Sequence, residues 1–209
     1  YNKMKKDFVI ELGGKQITAL SAATVTQKLQ QMASGFVYNS TKDLSCSPGK
    51  WDVKQEAVWF SNHRFELLDE LIQENQHDNT LIFYNYKEEF AELKRRYPHA
   101  QTLDDDNAVK RWNNGEIELL LAHPKSAQFG LNLQFGGNKI IFVSLPWSLV
   151  DFEQAVGRLH RSGQQHDVWV YVLLTNKTID EKIWAALHDK KSLAEVALAE
   201  LAENEPVAG

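Results

Sequence analysis

Three side chains in the segment DFEQAVGRLHRSGQQ, residues 151–165, have the types and the spacing to handle an anion. If the segment is one α-helix, Gln154, Arg158 and Arg161 fall at i, i+4 and i+7 and project along one stripe. Two planar guanidiniums on that stripe would converge on one object. Their fork geometry suits the γ-phosphate of a nucleotide, whose charge must be stabilised as it is transferred. Gly157 is costly inside a helix, which makes sense where a ligand or another backbone approaches closely. Gly163 and Gln164 then close the element in a tight turn. Spacing alone leaves a second reading open: a solvated basic helix face with glycine as a tolerated defect.

The elements that must hold such a group are written as alternating apolar runs and amphipathic segments. EAVWF precedes NHRFELLDELIQEN, TLIFYNY precedes KEEFAELKRRY, and AQTL precedes DDDNAVKRWNNG, whose aspartates suit a helix first turn and whose Gly115 suits its end. EIELLLAH, a long loop and NKIIFVSL lead to the arginine segment, and DVWVYVLL leads to TIDEKIWAALHDKKSL. Nearly continuous apolar strands belong in a parallel sheet covered on both faces. The expected fold is therefore a doubly wound, three-layer α/β domain, with functional loops at the C-terminal ends of the strands.

Ahead of it, DFVIEL and KQITAL flank Gly13 and Gly14 as a hairpin would. TVTQKLQQMASGF then reads as a helix capped at Thr24 and ended by Gly35, and the polar stretch at 39–50 as a loop. These observations divide the chain into a lead-in over 1–56, the α/β domain over 57–193 and a loose tail over 194–209.

Composition narrows the chemistry. A net charge of -5 gives no global positive field, so any DNA contact must come from a local face. The lone Cys46 excludes an internal disulfide and a cysteine zinc site, and it fits a reducing compartment. Apolar runs such as IIFVSLPW are too short to span a bilayer, and the start at Tyr1 suggests a piece of a longer chain. GGKQ and PGKW lack the spacing and the hydroxyl of a triphosphate-cradling loop. Asp69 and Glu70 in LLDELI follow the periodicity of an amphipathic helix, and the histidines lack ligand spacing, so no metal site is expected. A complete hydrolase is not encoded here.

QAVGRLHRSGQ matches the Q-x-x-G-R-x-x-R-x-G-Q pattern of motif six in superfamily 2 helicases, in the form used by Swi/Snf-type DNA-dependent ATPases. TLIFYNYKEE is similar to that family's motif four, and HPKSAQFGLNLQFGGNKIIFVSLPWS to its motif five and the following strand. TIDEKIWAALHDKKSL is similar to its closing helix, and the whole combination looks most like the phage and prophage branch.

The resemblance implies a RecA-like second lobe, acting with an N-terminal RecA-like lobe that holds most of the ATP and its Mg2+. It implies double-stranded DNA as partner and a cytoplasmic, bacterial or phage-encoded protein. By this resemblance Arg158 and Arg161 are arginine fingers, and Gln154, Gly157 and Gly130 lie on the nucleotide side. Tyr84, Asn85, Lys87, Lys125, Ser126 and Asn132 face the DNA backbone, although aromatic packing is the competing reading for Tyr84 and Tyr86. Trp147 falls where the family has a tryptophan near the lobe interface. Gln128 and Phe129 depart from the pattern, standing where relatives tend to carry glycine and, in the phage branch, histidine. A lobe on its own is expected to be inactive. The alternatives are a non-catalytic RecA-like interaction module and a lobe of an RNA helicase.

Overall fold

Among the described residues, backbone hydrogen bonding forms three separate sheets in the computed structural model of the chain. The structure describes residues 1–7, 9–12, 15–18, 22–43, 52–76, 78–126 and 130–189. The expected Gly13–Gly14 turn, Cys46, Gln128, Phe129 and the tail lie outside the described residues. Two compact units emerge, one chiefly of Tyr1–His63 with Thr175–Ala186, the other chiefly of Arg64–Leu174.

The first unit opens with α1 (Asn2–Asp7), a short helix that the sequence did not announce, in which Met4 is fully buried. β1 (Val9–Leu12) and β2 (Lys15–Thr18) form the expected antiparallel hairpin, with Leu12 opposite Lys15. α2 (Ala22–Ala33) buries Val25 and Leu29, and the chain turns at Gly35 with φ +92°. A Cβ at Gly35 would sit 2.2 Å from the Ser61 carbonyl oxygen, so the glycine is required twice over.

The polar stretch corrects the sequence reading. Asn39–Asp43 is no loop but the second half of β3 (Phe36–Asp43), which pairs antiparallel with β4 (Asp52–Trp59) over eight residues, from Phe36 opposite Trp59 to Asp43 opposite Asp52. A ladder needs backbone groups rather than apolar side chains, so composition alone hid this strand. EAVWF therefore belongs to the β3–β4 hairpin and not to the parallel sheet.

The second unit starts with α3 (His63–Glu74), which buries Phe65 and Leu68. Asp69 lies in this helix and accepts hydrogen bonds from Arg96 and the Tyr97 hydroxyl, in agreement with the amphipathic reading. There follow β5 (Thr80–Phe83), α4 (Lys87–Arg96), β6 (Gln101–Thr102), α5 (Ala108–Asn113), β7 (Leu119–Ala122), β8 (Lys139–Phe142), α6 (Leu149–Val156) and β9 (Trp169–Val172). Asp104–Asp106 correct the expected helix start. They form turns ahead of α5, where Asn107 has φ 54° and the Asp105 carboxylate caps the Thr102 N–H at 2.6 Å.

All five strands of this unit are parallel, in the order β6-β7-β5-β8-β9. β5 and β7 are buried throughout, and Phe83 stacks on Phe142 at 5.0 Å between centroids. The chain leaves β5 toward one edge and β8 toward the other, so right-handed crossovers place α4 and α6 on opposite faces. The C-terminal ends of β5 and β8 thus form the topological switch point, where open α/β sheets leave a crevice for ligands. α7 (Ile179–His188) follows, and in the first unit the Ile179 N–H donates to the Tyr1 hydroxyl at 2.6 Å. Among the described residues no helix is long and apolar enough to cross a membrane, and no acidic, histidine or cysteine cluster is set to hold a metal.

Candidate functional site

α6 is started by Ser148, whose hydroxyl accepts the Asp151 N–H at 3.1 Å, and it ends sooner than its sequence suggests. Gly157 is its C-cap at φ -64°, so the helix does not run through Arg158 and Arg161. This overturns the single stripe. A Cβ at Gly157 would meet carbonyls of its own preceding turn, Glu153 at 3.1 Å and Gln154 at 3.6 Å. The residues after Gly157 form successive turns, closed by Gly163 at φ +99°.

The turns nevertheless bring both arginines to one place, the segment that follows Gly130. Arg158 Nη1 donates to the Leu131 carbonyl at 3.4 Å, and the Leu133 N–H returns a bond to the Arg158 carbonyl at 3.3 Å. Arg161 Nη1 donates to Asn132 Oδ1 at 2.6 Å. Gln164 Nε2 donates to the carbonyls of Gln134, at 2.9 Å, and Gly137, at 3.0 Å. Motif six is therefore stitched to motif five by side chains.

Arg158 is only 8% exposed, yet no carboxylate pairs with it and its Nε has no hydrogen-bond partner among the described residues. Burial first, and the charge of Arg161 second, push its guanidinium below the ordinary arginine value. A buried charge without a counter-charge is costly, and an incoming anion would relieve that cost. The buried Gln154 Oε1 likewise accepts nothing among the described residues. Two guanidiniums side by side are chemically able to bind a phosphate. Gly130 holds φ +68° with open space where a Cβ would lie, so a side chain is disfavoured there by backbone conformation rather than by crowding.

The strand-end residues divide differently. Tyr84 packs its ring 5.1 Å from Phe90 and 6.0 Å from His123, and burial raises its hydroxyl above the usual range. Asn85 donates to the carbonyl and hydroxyl of Ser144 at 2.8 and 3.0 Å, so its amide ties the ends of β5 and β8 together. Burial chiefly holds the His123 imidazole below its usual range, and the neutral Nδ1 accepts the Lys125 N–H at 3.1 Å. Ser126 gives both its N–H and its hydroxyl to the His123 carbonyl. Lys87 and Lys125 remain as exposed ammoniums. Trp147 is half-buried just past the end of β8. The structure thus gathers Arg158, Arg161 and Asn132 in one cluster, while Tyr84, Asn85, Lys87, Lys125 and Ser126 sit at the ends of β5 and β7.

Residues 63–163 match the helicase conserved C-terminal domain. Protein p41 of Acyrthosiphon pisum secondary endosymbiont phage 1 is 30% identical over 95% of this chain and 42% of its own. The ATP-dependent helicase YqhH of Bacillus subtilis is 40% identical over 42% of this chain and 15% of its own. A DNA repair and recombination protein RAD54-like of Drosophila grimshawi is 29% identical over 81% of this chain and 23% of its own. Over residues 63–163 this chain is similar to the C-terminal lobe of Swi/Snf-type superfamily 2 helicases. The chain spans less than half the length of these relatives. Its fold is that of the C-terminal part of the Fun30 ATPase domain, with TM-score 0.56 and 20% identity over 67% of this chain and 53% of that one.

Sequence reasoning missed the groups that hold the candidate site's elements in place. Glu89, fully buried, accepts from the N–H groups of Asn85 and Tyr86 at 2.9 and 3.2 Å and from the Ser144 hydroxyl at 2.8 Å. The available signal was its place three residues after Tyr86, where a capping carboxylate reaches back to the helix start. Trp112, also fully buried, donates its indole N–H to the Leu133 carbonyl at 2.8 Å. Nothing in the spacing of Trp112 announced that contact.

Proposed function

We propose that this helicase lobe is the second motor lobe of an ATP-dependent translocase on double-stranded DNA. Arg158 and Arg161 reach, as arginine fingers, the nucleotide held by a first RecA-like lobe. The observation that carries the reading is Arg158, a buried guanidinium with donors to spare and, among the described residues, no counter-charge. ATP with Mg2+ supplies the transferable phosphoryl group, and this lobe's part is to place positive charge against it and to exclude water. Gln154, through its amide N–H groups, and Gly130 complete the nucleotide face.

Lys87 and Lys125 supply the charge that grips the DNA backbone, a contact without sequence information. Tyr84, Asn85 and Ser126 shape that surface, the Asn85 amide and the Ser126 hydroxyl being engaged within the chain. Closure of two such lobes on nucleotide and reopening after hydrolysis would alternate the grip and step the protein along the duplex.

In the two-lobed protein, Arg158→Ala or Arg161→Ala is expected to lower single-turnover ATP hydrolysis by at least ~10³-fold, the range of an arginine finger. DNA binding without nucleotide should be preserved. Wild-type hydrolysis in both variants would remove the finger assignment.

A further inference from the structure

The turn that carries Arg161 opens onto a groove of about 720 Å³ lined by residues from His160 to Trp169, a size suited to a small ligand. Its floor is fixed. Gln164 is fully engaged, with Nε2 on the Gln134 and Gly137 carbonyls and Oε1 accepting the His166 N–H at 3.0 Å. Asn138 donates to the Asp167 carbonyl at 2.9 Å and accepts the Trp169 N–H on its own carbonyl at 2.9 Å.

Above this floor stand Arg161, which donates to Asn132, and the side chains of Asp167 and Trp169. Trp169 is 58% exposed at the start of the edge strand β9, and among the described residues neither its indole N–H nor the Asp167 carboxylate makes a hydrogen bond. A fixed backbone that holds out a large flat π-face has already met most of the ordering cost of binding. Indole stacks on any nucleobase, and the guanidinium of Arg161 on the same groove addresses phosphate. The free Asp167 carboxylate can accept from an exocyclic amine.

We propose that this groove is a nucleobase subsite, in which Trp169 covers the face of a base whose phosphates reach Arg161. The inference rests on the phosphate reading of Arg161 and extends it from charge to base recognition. Its ligand is a nucleobase that carries phosphate, supplied by the free nucleotide or by a nucleic-acid strand.

The test compares ATP with ribose 5′-triphosphate, which lacks the base, as substrates of the two-lobed protein. Trp169→Ala should raise the KM for ATP about tenfold, in keeping with the loss of one base stack. It should leave kcat and the KM for ribose triphosphate unchanged, and Trp169→Phe should restore most of the effect. Arg161→Ala instead lowers turnover of both substrates, so failure of the finger reading and failure of the subsite are read separately. If Trp169→Ala raises the concentration of DNA needed for half-maximal stimulation and leaves ATP unaffected, the base belongs to a strand. If neither constant moves, the subsite is overturned.

Discussion

Glu89 shows how one side chain sets the geometry of a strand end. Its Oε2 gathers the N–H groups of Asn85 and Tyr86 and the hydroxyl of Ser144, joining the start of α4 to the end of β8. Replacing it with alanine strands three donors in the interior, and each buried donor left without a partner costs roughly 1–3 kcal/mol. Glu89→Ala is therefore expected to lose about 3 kcal/mol after local relaxation. The measurement is the urea midpoint at unchanged m-value. Glu89→Gln keeps an acceptor oxygen and should lose about half as much. Native stability in the alanine variant would mean that Asn85 and Ser144 are held by other means. Arg158 is the counter-case, a buried guanidinium whose Nε has no hydrogen-bond partner among the described residues.

Between elements, the segment after Asn132 is held by its carbonyls. Asn113 binds that of Asn132, Trp112 that of Leu133, Gln164 those of Gln134 and Gly137, and Asn79 that of Gly136. Close approach of the chain to α5 makes this possible, since a Cβ at Gly136 would lie 2.2 Å from the Trp112 carbonyl oxygen and 2.4 Å from its ring. Gly136→Ala must then push α5 and the segment apart, at a cost of roughly 2–3 kcal/mol. Its thermal midpoint should fall by about 5–10 °C. An unchanged midpoint would show that the segment yields freely, and would weaken the case that α5 positions Asn132 and Arg161.

The sequence carried the parallel strands because burial on both faces leaves continuous apolar runs, as in LIF of β5 and IIF of β8. It could not carry the edge position of β9, whose WVYV is equally apolar but exposed at Trp169 and Val170. The polar β3 was hidden for the opposite reason, and the end of α6 at Gly157 was overridden by a plausible helical spacing. The arginines were found by type and motif, while their meeting place depends on turns that no periodicity describes.

For the whole molecule, the proposed function makes the phosphate-facing groups half a site. Two guanidiniums can offer charge-assisted bonds worth roughly 1.5–3 kcal/mol each, and a base stacked on Trp169 would add roughly 1–3 kcal/mol. Association itself costs at least ~4 kcal/mol in lost freedom, so this chain alone is expected to bind ATP no more tightly than about 100 µM. The net charge of -5 works in the same direction, repelling a polyanion except near the basic groups. Isothermal titration of the chain with ATP checks the affinity, and phosphate release checks for hydrolysis, which should stay at background with or without duplex DNA. Adding a first lobe that carries a triphosphate loop should restore DNA-stimulated release, and Arg158→Ala should cancel that restoration. Submicromolar ATP binding by the chain alone would mean that the unit holds a complete nucleotide site, and the division of the motor between two lobes would have to be redrawn.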